Sequence, residues 1–226
     1  MKLIARLQAW ERAFRKSFNV DLSTPENRRR ARTYNLYFDH AVLRTVWGNF
    51  FQISPDVYRS NHPTHARLAR MKARGITTVL NLRGTESGAP YLTERVSCGE
   101  LGLTMVDCNL IARAAAPKED ILNLIDCFRR IEKPFVMHCK SGADRAGFAS
   151  AIYLMVIEGE PVERARRMLS PRYIHFRWTR TGILDHILDH YAARNAASEI
   201  GFEDWIRTEY DPQAMQLSFD QSRGKA

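Results

Sequence analysis

The sequence predicts an α/β fold: a central, mostly parallel sheet flanked by helices, with helical extensions at both ends. Three observations carry this expectation. Short β-branched or apolar runs alternate with longer helical segments through the middle of the chain, the pattern of strand–helix–strand units. Gly or Pro stands at most of the junctions between them, where a helix must stop or start. At 226 residues, 45% of them apolar and 26% charged, the chain is long enough for one substantial core of ordinary soluble composition.

The elements follow in order. A helical stretch over Thr64–Arg74 ends at Gly75, a residue suited to a left-handed cap, and leads to a strand over Ile76–Leu82. A helix over Tyr91–Leu101 passes through Gly102 to a strand over Leu103–Cys108. Pro117 opens a helix over Lys118–Glu132, and Pro134 precedes a strand over Phe135–His138. A helix follows from Arg145 to Glu158, closed by Gly159. Pro161 opens another over Val162–Leu169. Residues 1–50 and 178–210 have helical patterning, and Ser222 to Ala226 is expected to fray. The implied organisation is a basic helical extension over 1–50, a principal domain over 51–195, and a C-terminal helix and tail over 196–226.

No apolar run approaches the roughly 18–20 residues of a spanning helix. The longest, Gly147 to Ile157, suits a buried core helix. Leu3-Ile4-Ala5 is interrupted by Arg6, so the start of the chain lacks the apolar region of a signal peptide, and a cytoplasmic protein is expected. Cys98, Cys108, Cys127 and Cys139 contain no Cys-x-x-Cys pair, which leaves zinc-finger and thioredoxin-type chemistry without support. Single cysteines in a reducing compartment are inert core residues or reactive thiols.

The net charge is +9, and residues 1–50 hold +6 of it, ten Lys or Arg against four Asp or Glu. A field of that sign draws anionic partners. Leu3, Leu7, Trp10, Phe14 and Phe18 fall on one helical stripe, with Arg6, Arg12, Arg15 and Lys16 away from it and Arg28 to Arg30 following. Such a helix either packs on the protein's own core or lies on the inner face of a membrane through residues 1–20. No aromatic–basic interleaving supports a nucleic-acid partner.

The chemistry concentrates in Phe135-Val-Met-His-Cys-Lys-Ser-Gly-Ala-Asp-Arg-Ala-Gly147. A short apolar strand runs into Cys139, a compact turn follows, and a helix starts at Arg145. Such a turn aims successive backbone N–H groups into one concavity beside a helix N-terminus, which suits a tetrahedral dianion. The same dipoles and a nearby guanidinium favour a thiolate at its base. Arg145 offers a planar, bidentate donor for two phosphate oxygens. Gly142 allows the tight turn and close approach to a ligand, and Gly147 allows close packing of the helix. Cys followed six residues later by Arg arises about half a time by chance in this composition. Requiring His138, Gly142 and Gly147 as well lowers that to roughly 4 × 10⁻⁵.

This segment resembles the His-Cys-x5-Arg signature of the protein tyrosine and dual-specificity phosphatase superfamily. Val57-Tyr-Arg-Ser-Asn-His-Pro63 and Val79-Leu-Asn-Leu-Arg-Gly84 are similar to the opening of its bacterial and atypical dual-specificity members. The resemblance covers about residues 55–170. It implies a two-step hydrolysis through a phosphocysteine on Cys139, with no metal and no organic cofactor. The loop Lys140, Ser141, Gly142, Ala143, Asp144, Ala146 and Gly147 would hold the phosphoryl group with Arg145.

The resemblance also implies a general acid about thirty residues before the nucleophile, which is met by Asp107. Asp144 competes for the role, as in myotubularin-like members with Asp before the loop Arg. Glu119 and Asp120 follow Pro117 and suit the first turn of a helix. Ala146 stands where the family usually has Ser or Thr, whose hydroxyl assists the departing thiolate. Lys140 is similar to the residue that follows the nucleophile in lipid-directed members. Arg83 and Arg113 are expected at strand-end loops on the same side of the sheet as phosphate contacts, and Arg59 in a structural role. The substrate implied is a phosphorylated protein first, and a phospholipid or inositol phosphate second. A phosphate-binding module without turnover is the rival from another class.

Overall fold

The computed structural model describes residues 48–85 and 88–224, together with Thr24 and Glu26. The apolar stripe Leu3–Phe18 and the membrane contact expected of residues 1–20 lie outside the described residues. So do most of the basic extension over 1–50 and the last two residues of the expected frayed end.

The strands are β1 (Phe51–Ser54), β2 (Val57–Asn61), β3 (Thr78–Asn81), β4 (Thr104–Asp107) and β5 (Phe135–Cys139). They form one sheet in the order β1-β2-β5-β3-β4. β2, β5, β3 and β4 are parallel, and β1 joins the edge antiparallel. The sequence reading identified β3, β4 and β5 and did not find β1 or β2. Both are short, and β2 (VYRSN) carries polar residues that are nevertheless buried. Apolar patterning therefore could not reveal them.

Helices α1 (His65–Lys72) and α2 (Ala89–Leu101) cover one face of the sheet. Helices α3 (Lys118–Arg130), α4 (Asp144–Val156), α5 (Val162–Ala165), α6 (Ile183–Ala197), α7 (Phe202–Thr208) and α8 (Pro212–Ser222) build the other. The strand period of two distributes side chains between these layers. Phe135, Met137 and Cys139 pack with Leu80 and Leu82 on the larger side, while Val136 and Val79 pack with Leu68, Met71 and Cys98 on the smaller.

The predicted punctuation acts as the chemistry requires. Gly102 takes φ 61°, the left-handed conformation that closes α2, and its N–H bonds back to the carbonyls of Cys98 and Gly99. Pro90 lets α2 begin two residues before the expected start. The helix expected to run to Leu169 stops at Ala165 and tightens into a 3₁₀ turn over Arg166–Met168.

The segment after 196 holds two helices where one was expected. Asp211 starts the second by accepting from the backbone N–H of Gln213 and Ala214, with Pro212 in the first turn. These helices share the main core: Trp205, Ile206, Tyr210, Met215 and Phe219 are buried in it, and the Tyr210 hydroxyl donates to the Ala116 carbonyl at 2.8 Å. Among the described residues no helix is long and apolar enough to cross a membrane.

Candidate active site

The parallel register aligns the carboxyl ends of four strands. Asn61 pairs with Cys139, Asn81 with His138, and Asn81 with Asp107. Open parallel sheets place their functional crevice at this end. Cys139 closes β5 and is 2% exposed. After it, residues 140–143 make the turn into α4, which begins at Asp144.

The loop's shape follows from where its carbonyls go. The oxygen of Lys140 accepts from the His62 N–H at 3.3 Å, and that of Ser141 from Asn49 Nδ2 at 3.1 Å. The Gly142 oxygen accepts from Arg59 Nη2 at 2.6 Å, and the Ala143 oxygen from the same nitrogen at 3.1 Å. Four consecutive carbonyls are thus tied outward to the scaffold. In a planar trans peptide the N–H points away from the C=O, so these ties turn the amides that follow toward the opposite, concave side. The Ala143 N–H also reaches Ser141 Oγ at 3.3 Å.

Gly142 is required twice over. Its φ is 72°, and a Cβ there would lie 2.6 Å from the Asn61 nitrogen and 2.7 Å from the Ser60 carbonyl carbon. At Gly147 a Cβ would lie 2.8 Å from both Leu169 Cδ2 and the Met168 oxygen, so the small residue brings α4 against the following 3₁₀ turn.

Arg59 has no exposed surface. Its guanidinium donates to the Gly142, Ala143 and Met168 carbonyls and lies over the Tyr173 ring, 4.0 Å from the centroid. Burial lowers its pKa to about 10, opposed by the nearby Tyr173, Cys139 and Asp144, and it stays a cation at neutral pH. Asn49, itself buried, spans from the Ser141 carbonyl to that of Tyr173.

Arg145 lies in the first turn of α4 and is half-buried, as are Lys140, Ser141 and Asp144. Ala146 is wholly buried, and its carbonyl accepts from Ser150 Oγ at 2.6 Å.

The two candidate acids have different surroundings. Asp107, at the end of β4, accepts from Asn81 Nδ2 at 2.7 Å and from the Tyr91 hydroxyl at 2.8 Å, one donor to each oxygen. It lies two strands from β5, a lateral separation of about 10 Å. Asp144 lies in the loop itself. Its Oδ1 is 2.8 Å from Nδ1 of His175, whose Nε2 is 2.7 Å from Oδ2 of Asp185. His175 is 1% exposed. Burial would lower its pKa, but hydrogen bonds to Asp144 and Asp185, and their charges, raise it to about 9. His175 therefore carries a proton at neutral pH.

Arg83 follows β3 at the same end of the sheet, its Nη1 3.5 Å from Nδ1 of His62. Arg113 is exposed on the loop between β4 and α3. Asp120, in the first turn of α3, accepts from Asn109 at 2.9 Å, and Glu119 is exposed beside it. Sequence reasoning missed Asn49, His175 and Glu94. Nothing near them in the chain marks them, because each acts on residues far away in sequence.

Three comparisons complete the description. A family model described as the tyrosine phosphatase family matches residues 53–163. No curated protein matches the chain. Among solved structures, TpbA from P. aeruginosa is similar at 19% identity and a TM-score of 0.50, over 76% of this chain and 90% of that one. Tk-PTP in its active form is similar at 20% identity and a TM-score of 0.50, over 66% of this chain and 99% of that one. At these identities the likeness speaks for the fold.

Proposed function

Through residues 53–163 the chain belongs to the tyrosine phosphatase family, and on that premise we propose that it hydrolyses phosphomonoesters of phosphorylated proteins through a phosphocysteine on Cys139. One observation carries the assignment of the site: the four consecutive outward-tied carbonyls of residues 140–143. In this reading the amides of the loop line a concavity next to the N-terminus of α4, which begins beside Cys139 and carries Arg145 in its first turn. That arrangement is complementary to a phosphate dianion.

In the proposed first step Cys139 Sγ forms a bond to phosphorus while the ester P–O bond breaks, and the leaving oxygen takes a proton. Arg145 holds two equatorial oxygens in line with the sulfur. Water then attacks phosphorus and returns a proton to the group that gave one in the first step, the S–P bond breaks, and inorganic phosphate leaves. We assign the leaving-group proton to the Asp144–His175 pair rather than to Asp107. Asp107 ends β4, two strands from β5, with Asn81 and Tyr91 donating to its two oxygens. Asp144 adjoins Arg145 in the loop, its Oδ1 2.8 Å from His175 Nδ1. Release of phosphate from an aryl phosphate tests the whole reading: Cys139→Ser should abolish turnover and retain vanadate binding. Turnover that survives in Cys139→Ser rejects it.

A second reading, hydrolysis of a phospholipid or inositol phosphate at a membrane surface, has one specific observation in its favour. The segment carrying His175 also bears Trp178, 67% exposed, and Ile174, 44% exposed, with Arg172, Arg177 and Arg180 exposed around them. Exposed aromatic and aliphatic side chains among arginines suit an anionic interface. Sedimentation with anionic vesicles tests it, with Ile174→Ser/Trp178→Ala as the control. A full-length protein that stays in the supernatant rejects this reading.

A further inference from the structure

Behind the nucleophile, on the face of the sheet covered by α2, three side chains from distant parts of the chain converge. His138 precedes Cys139 in β5, Glu94 comes from the middle of α2, and His62 follows β2. His138 is 0% exposed, Glu94 2% and His62 7%. One ligand atom from each lies within 4.8 Å of the other two. Their contacts do not form an ordinary hydrogen-bonded set. Glu94 Oε1 is 2.8 Å from His138 Nε2, and Glu94 Oε2 is 3.6 Å from His62 Nδ1. Yet both oxygens of Glu94 and both nitrogens of His138 lack a hydrogen-bond partner among the described residues. The imidazole N–H axis therefore does not point at the carboxylate, close as it is.

Buried polar atoms in native proteins are almost always satisfied, and a buried carboxylate left without donors is costly. Donors that share a bound ion aim at the ion instead of at each other, which gives short but off-axis contacts between them. The two imidazoles approach different oxygens of Glu94, at 2.8 and 3.6 Å, close to the separation of about 3.3 Å between neighbouring ligands of a tetrahedral ion. The space beside His62 and Glu94 is lined also by Asn81, Arg83, Gly84 and Tyr91. Arg83 Nη1 lies 3.5 Å from His62 Nδ1. Its charge tempers the affinity for a dication.

We propose that His62, Glu94 and His138 form a binding site for a divalent transition ion of the Zn²⁺ type, two imidazoles and one carboxylate. The ion takes no part in phosphoryl transfer. It joins α2 and the segment after β2 to the residue next to the nucleophile, and so fastens the strand that presents Cys139.

The probe is Co²⁺, with Zn²⁺ in parallel, added to untagged full-length Cys139→Ser protein to remove the strongest competing thiolate. The expected result is one Co²⁺ per chain, with visible d–d absorption and no thiolate charge-transfer band. Zn²⁺ should displace the Co²⁺ and raise the melting temperature. Glu94→Gln and His62→Asn should each weaken binding by at least about a hundredfold, with the circular dichroism of each variant showing that it folds. The proposal is overturned by failure to bind either ion at 1:1, by a thiolate spectrum, or by affinities unmoved in whichever of the two variants folds.

Discussion

Arg59 Nη2 donates to the carbonyl oxygen of Gly142 at 2.6 Å, a bond between a wholly buried cation and the tightest point of the loop that follows Cys139. The same guanidinium holds the Ala143 and Met168 carbonyls. The shape of the loop is thus held from β2.

Replacing Arg59 removes three charge-assisted donors at once and strands their acceptors. Arg59→Met is expected to lower stability by roughly 2–5 kcal/mol and to weaken vanadate binding, because the loop carbonyls are then free to turn inward. Arg59→Lys should restore only part of either, since an ammonium cannot span the planar set. Denaturant unfolding and vanadate titration measure the two effects. Unchanged vanadate affinity in a folded Arg59→Met protein would show that the loop holds its shape unaided.

Proton donation separates Asp144 from Asp107. Asp144→Asn should slow hydrolysis of alkyl phosphates by about 10²–10⁴-fold and spare activated aryl phosphates, whose leaving groups need little help. Asp107→Asn should affect both substrates alike and less. Steady-state rates on one phosphopeptide and one nitrophenyl ester give the comparison, and the reverse pattern returns the role to Asp107.

Stability should depend on pH through His175. Its folded pKa, about 9, stands above the ordinary value of 6.5, so the folded state binds the proton more tightly than the unfolded chain does. The stabilisation is fully present below pH 6.5 and is lost as pH rises through about 9, a change of up to about 3 kcal/mol. Urea unfolding at pH 6 and pH 9.5 should show the loss in the wild type, and His175→Gln should flatten it. Equal pH slopes in the two proteins would remove His175 as the cause.

Ala146 offers no hydroxyl to the departing thiolate. If breakdown of the phosphocysteine limits turnover, an aryl phosphate should give a pre-steady-state burst of phenolate, and Ala146→Ser should raise the steady rate. Ala146 has no exposed surface, so the added oxygen must bond within the site and not to solvent. A linear time course with no gain from serine would place the slow step elsewhere.

Gly142→Ala is expected to fold poorly or bind phosphate weakly. The added Cβ meets backbone atoms of Ser60 and Asn61 at 2.6–2.8 Å in a left-handed conformation, and backbone cannot swing aside as a side-chain tip can. Phosphate affinity measured by calorimetry reads this directly. An alanine variant that binds as the wild type does would mean that β2 can move.

What the sequence by itself determined is local. Cys139, Gly142, Arg145 and Gly147 lie within nine consecutive positions, so strand, turn and helix bring them together without knowledge of the rest of the chain. The alternation of β3, β4 and β5 with helices was legible for the same reason: apolar period and the Gly or Pro at each junction are properties of short windows. Tertiary structure alone decided which distant polar groups complete the site. Asn49 and Arg59 tie the loop carbonyls, His175 meets Asp144 from 31 residues away, and Glu94 meets His138 from the sheet-facing side of a helix. β2 escaped detection because its buried residues, on both faces, include Arg59, Ser60 and Asn61, polar groups buried through their partners and not through hydrophobicity. A buried polar contact is set by the packing of whole elements, and no periodicity in the chain encodes which two such groups will meet.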